Sequence, residues 1–102
     1  MKETTRLPNS YDTTTFNELI FVNHPMGIGV QCIVQYPNGY GASVVKGEHT
    51  YGGRDGLYEL AVFGKDGQIT YNTPVTDDVL GYLTENDVEK ILIDIKNLEN
   101  GQ

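Results

Sequence analysis

Ile28-Gly29-Val30-Gln31-Cys32-Ile33-Val34-Gln35-Tyr36-Pro37-Asn38-Gly39-Tyr40-Gly41-Ala42-Ser43-Val44 is the stretch that decides the fold. Ile28, Val30, Cys32, Val34 and Tyr36 alternate with Gly29, Gln31, Ile33 and Gln35, a period of two that sends successive side chains to opposite faces of a strand. Pro37-Asn38-Gly39 then suits a three-residue connection, with proline's fixed φ opening a type I turn and glycine taking the left-handed position after it. That turn pairs Tyr36 with Tyr40, Val34 with Ala42 and Cys32 with Val44, which keeps apolar side chains on one face. A two-residue Asn-Gly turn would slip the register by one and break the match. The pattern therefore predicts an antiparallel hairpin with a buried face, and Cys32 within it as a small buried hydrophobe.

Upstream, the aromatic and β-branched run from Phe16 to Val22 reads as a further strand, ended by the turn signal Asn23-His24-Pro25-Met26-Gly27. Residues 1–15 are polar and without periodicity, which predicts a flexible N-terminal arm with an edge contact near Tyr11 and a single domain over residues 16–102. Downstream, Leu57 to Phe63 and Gln68 to Asn72 flank Gly64-Lys65-Asp66-Gly67. A two-residue Asp66-Gly67 turn sets Val62 opposite Tyr71 and Gly64 opposite Ile69, so that Tyr58, Leu60, Val62, Ile69 and Tyr71 share a face. Ala61 and Phe63 are left on the other face, which suggests a partly covered outer face or a contact surface.

The C-terminal segment reads as a helix. Thr84 is the N-cap, Asp87 takes the third helical position as a shortened capping-box acid, and Leu83 can staple against Val88. Val88, Ile91, Leu92, Ile95 and Leu98 form a stripe at helical spacing that must cover a sheet face, and Asn100-Gly101 marks the stop. Thr76-Asp77-Asp78 fits the cap of a short helical turn, and its paired carboxylates suit the helix dipole better than an ion or an acid–base pair. The predicted architecture is α+β: an antiparallel sheet built from one strand and two hairpins, one face covered by the C-terminal helix.

The 102 residues fit one modest core. No run is long and apolar enough for a transmembrane helix, and the polar start lacks the apolar segment of a signal peptide, so the expectation is an intracellular protein without a membrane partner. A net charge of −7 argues against direct nucleic-acid binding, which needs a basic face. The acidity concentrates from Asp77 onward and invites a second idea, an acidic mimic of nucleic acid. Projection onto a helix weakens it: Glu85 and Glu89 fall on one flank, Asp87 and Asp94 on the other, and Lys90 and Lys96 interrupt both.

Between the hairpins lies Gly47-Glu48-His49-Thr50-Tyr51-Gly52-Gly53-Arg54-Asp55-Gly56. A phosphate cradle would use Arg54 and free backbone amides, but such loops run from strand into helix and this one joins strand to strand. His49 with Glu48 and Asp55 suggests acid–base chemistry without an evident nucleophile. His24, His49 and Cys32 have no zinc-site spacing, so no metal and no cofactor is expected. Tyr51 and Arg54 are residue types that anchor protein interfaces. The candidate binding residues are thus His49, Tyr51, Gly52, Gly53, Arg54 and Asp55, with Phe63 and Ile93 as further contacts, Ile93 facing away from the helix stripe as a partner or homodimer contact.

The runs Tyr36-Pro37-Asn38-Gly39-Tyr40-Gly41-Ala42-Ser43-Val44-Val45, Tyr51-Gly52-Gly53, Gly56-Leu57-Tyr58-Glu59-Leu60-Ala61-Val62 and Thr73-Pro74-Val75-Thr76-Asp77-Asp78-Val79-Leu80-Gly81-Tyr82-Leu83 resemble a group of small uncharacterised proteins of tailed bacteriophages and prophages. The similarity spans about residues 16 to 98 and assigns no catalytic residue. It implies a phage accessory protein of the host cytoplasm. With the loop, it leads to the expectation of a non-enzymatic host-takeover protein that binds a bacterial host protein, a defence component among the candidates. The alternatives are a small enzyme or ligand binder at the glycine-rich loop and the acidic mimic.

Overall fold

The computed structural model describes residues 8–27, 29–66, 68–70, 73 and 79–98. Ile28, Tyr71, the Asp77-Asp78 pair, the Asn100-Gly101 stop and the first seven residues of the predicted arm fall outside them. The described chain is one mixed sheet with a helix on one face. Its elements are β1 (Ser10–Tyr11), β2 (Val22–Asn23), β3 (Val30–Gln35), β4 (Gly41–Lys46), β5 (Tyr58–Phe63), β6 (Leu80–Leu83) and α1 (Glu85–Lys96). The strand order is β1-β3-β4-β5-β6, and β2 pairs with β3 beyond β1 on the same edge.

The central hairpin has the register that its apolar pattern demands. Cys32 lies opposite Val44 and Val34 opposite Ala42. Gly39 donates to the Tyr36 carbonyl from a φ of 94°, the left-handed position that closes the three-residue turn.

Three expectations need correction. The sheet is not purely antiparallel, because β1 runs parallel to β3, with Ser10 opposite Val34. A parallel pair needs a long crossover, and residues 12–29 supply it. The sheet thus begins before Phe16, and the edge contact near Tyr11 is a short strand. Nor is the run from Phe16 to Val22 a strand: Phe16–Glu18 is a turn of 3₁₀ helix, and pairing starts only at Val22. Its aromatic residues are used for packing, since the rings of Phe16 and Phe21 lie 5.1 and 5.7 Å from that of Tyr58. Thirdly, the hairpin after β5 turns over three residues. Gly64 donates to the Gln68 carbonyl, Thr70 donates to that of Val62, and Phe63 faces Ile69. Ile69 therefore joins Phe63 on the outer face instead of Leu60 on the inner one.

Val88, Leu92 and Ile95 of α1 are fully buried against Cys32, Val34, Val44, Leu60 and Val62. Thr84 and Asp87 form the predicted capping box, each accepting a hydrogen bond from the other's backbone amide. The helix ends at Lys96, and its last carbonyls are met from elsewhere in the fold. The Asn38 side-chain amide in the hairpin turn donates to the Ile95, Lys96 and Leu98 carbonyls at 2.9–3.0 Å, while its oxygen accepts from Tyr40 N. One turn residue thus closes its own hairpin and caps the helix above it.

Candidate functional site

The glycine-rich loop leaves β4 at Gly47, folds through a 3₁₀ turn at Gly53–Asp55 and enters β5 at Tyr58. Short-range bonds make it stiff. The Thr50 hydroxyl donates to the Gly47 carbonyl and accepts from Gly47 N, and the amides of Gly53, Asp55, Gly56 and Leu57 all bond within the loop. Tyr51 N is held by Glu59 Oε1 at 3.0 Å. With these donors already engaged, the loop is a poor anion cradle.

β6 supplies the second half of the site. Leu80-Gly81-Tyr82-Leu83 pairs with β5 through Tyr58 opposite Leu83 and Leu60 opposite Leu80, with a bulge between. Tyr82 N donates to the Tyr51 carbonyl at 3.1 Å, which fastens the loop to the bulge. Glycines permit that approach: a Cβ on Gly81 would run into the Tyr51 side chain, and one on Gly53 would overlap the Gly47 carbonyl. Both tyrosines remain 62% exposed. Tyr82 is the candidate residue missed in the sequence: β6 is four residues long, carries Gly81 and pairs through a bulge, so no period of two marks the position.

Glu48, His49, Thr50, Gly52, Arg54, Asp55 and Tyr82 line one shallow, open depression of about 300 Å³. The structure thus brings His49, Gly52, Arg54 and Asp55 together and leaves Tyr51 beside them. Arg54 Nη2 and Glu48 Oε2 are 3.8 Å apart with both side chains in solvent, a pair worth at most ~1 kcal/mol. Among the described lining residues Thr50 carries the one aliphatic hydroxyl, and it is tied to the backbone of Gly47. Among the described residues that hydroxyl is bonded to backbone and to no base.

The remaining candidates lie elsewhere. Phe63 is half-buried on the outer sheet face, whereas Ile93, 46% exposed, faces away from the sheet on α1, so the two cannot share one contact surface. Cys32 is fully buried; burial pushes its thiol pKa up, against the opposing hydrogen bond of the Ser10 hydroxyl. Burial likewise raises the pKa of Tyr36, whose hydroxyl donates to the Thr13 carbonyl at 2.6 Å. Among the described residues no three His, Cys, Asp or Glu side chains gather as a metal site, and no helix is long and apolar enough to cross a membrane. Two acids of α1 serve the fold itself: Asp87 caps the helix, and Glu89 Oε2 accepts from Phe16 N at 2.6 Å. That diminishes the helix as a phosphate-like array. No family model matches the sequence, and no curated protein or solved structure matches it either.

Proposed function

We propose that this chain is a non-enzymatic phage accessory protein that acts in the host cytoplasm by docking on a bacterial host protein, a defence component being one such target. The observation that carries the reading is the pairing of a stiff, internally bonded loop with outward side chains. Tyr51 is 62% exposed and Arg54 extends into solvent, on a backbone fastened at Gly47, Glu59 and Tyr82. Side chains presented on an ordered backbone lose less entropy on binding than those of a loose loop, and Tyr and Arg are recurrent hot-spot residues. The resemblance to phage proteins supports the setting.

Capture of host protein from lysate on wild type and on a Tyr51→Ala/Arg54→Ala double mutant tests the assignment. Loss of the captured protein in the mutant is expected; undiminished recovery refutes the site. A second reading, a small-ligand site, is favoured by one observation, that His49, Arg54 and Asp55 line a single depression. Thermal stabilisation by a host metabolite extract, abolished by His49→Ala and by Asp55→Ala, would move the function there.

A further inference from the structure

Tyr82 has a φ of 57°, the left-handed region that costs an L-residue energy and that glycine or asparagine occupies more easily. A strained aromatic residue is usually compensated by burial, but this one is 62% exposed. The fold gains nothing evident from keeping a ring there, and backbone outliers of this kind concentrate at functional sites. Tyr82 lines the depression together with the buried Gly52, beside which its ring lies, and with the exposed acids Glu48 and Asp55. An aromatic face beside two carboxylates is complementary to a cation. Among the described lining residues, Arg54 is the one guanidinium or ammonium group, loosely paired with Glu48 in solvent. The net charge of −7 adds a field that draws cationic groups toward the molecule.

We propose that this depression receives a cationic side chain, arginine or lysine, of the docked protein, with Tyr82 as the recognition wall and Glu48 and Asp55 as its counter-ions. The inference rests on the docking reading above. The incoming cation replaces Arg54 at Glu48, and Arg54 is released to meet an acidic group of the partner.

The test is titration of the full chain with a blocked glycine–arginine peptide, its lysine counterpart and its neutral citrulline counterpart, followed by backbone-amide NMR. Saturable shifts at Gly52, Asp55 and Tyr82 are expected for a charged peptide, weaker by about tenfold with citrulline and with Tyr82→Asn. A response to both charged peptides supports recognition of charge; a response to arginine alone supports recognition of the planar guanidinium. Equal response to citrulline, or shifts confined to α1, overturns the proposal. Tyr82→Asn should also leave the melting temperature unchanged or raised, since it relieves the left-handed strain. A fall as large as that of a core truncation would show the ring to be structural and overturn the proposal as well. If the peptides elicit nothing while Tyr51→Ala/Arg54→Ala still abolishes capture, the docking reading stands and this one fails. If capture is also unaffected, both fail.

Discussion

The turn at Pro37-Asn38-Gly39 and the loop from Gly47 to Gly56 are both built on glycine, yet they face opposite ways. In the turn, the polar side chain points inward: Asn38 spans from Tyr40 N to three carbonyls at the end of α1. In the loop, the polar groups that point inward belong to the backbone, Thr50 and Glu59, and Glu48, His49, Tyr51, Arg54 and Asp55 are left in solvent. A side chain that joins two elements is tied to stability. A side chain held out by a closed backbone is free to serve recognition, because its replacement hardly touches the fold.

Substitutions can break this contrast in graded fashion. Gly53→Ala should have the largest effect, about 3 kcal/mol of lost stability in urea unfolding, because its Cβ meets the rigid Gly47 carbonyl. A loss below about 0.5 kcal/mol would mean that the loop is loose, contrary to its bonding pattern. Asn38→Asp should follow at about 2 kcal/mol, since it removes the donors and sets a negative charge against the negative end of the helix dipole. Asn38→Ala should cost about 1 kcal/mol.

Acid sharpens the same comparison at the other end of the helix. The Asp87 pKa is held below its ordinary value, first by the Thr84 backbone amide and then by the Thr84 side chain. A depressed folded-state pKa contributes stability that is present above the unfolded carboxylate pKa and is lost as pH falls through the folded value. The urea midpoint should therefore drop between about pH 6 and about pH 3 by more in wild type than in Asp87→Asn. The smallest effect belongs to Tyr51→Ala, which should leave stability within about 0.5 kcal/mol of wild type. A larger loss would place Tyr51 with Asn38 as a structural residue.

The parts legible in the sequence were those where one pattern constrained both neighbours. The alternation through Cys32 and Val34 set the first hairpin, and the stripe with Thr84 and Asp87 set the helix. The second hairpin lacked such a constraint: Asp66-Gly67 offers a two-residue turn, but Asp66 Oδ1 accepts from Gln68 N and the turn widens to three. β6 was hidden because it is short, carries a glycine and pairs through a bulge, none of which leaves a periodicity. The aromatic run at Phe16 looked like a strand because burial of rings in a crossover and burial in a sheet select the same residues. At the candidate site, composition singled out the loop residues, of which His49, Gly52, Arg54 and Asp55 line one depression. The union of the loop with Tyr82 was not legible, since it depends on contacts between segments far apart in the chain.

The cap made by Asn38 also bears on how long the molecule keeps its covalent identity. Asparagine is among the thermolabile residues, and a following glycine leaves the next backbone nitrogen unhindered for attack on the side-chain amide, with loss of ammonia. In the folded chain that nitrogen donates to the Tyr36 carbonyl at 3.0 Å, and the amide it would attack is held to the end of α1. Folding thus shields the bond that ageing would break. Conversion to an acid would in turn destroy the cap, so chemical damage at this turn and loss of the fold reinforce each other.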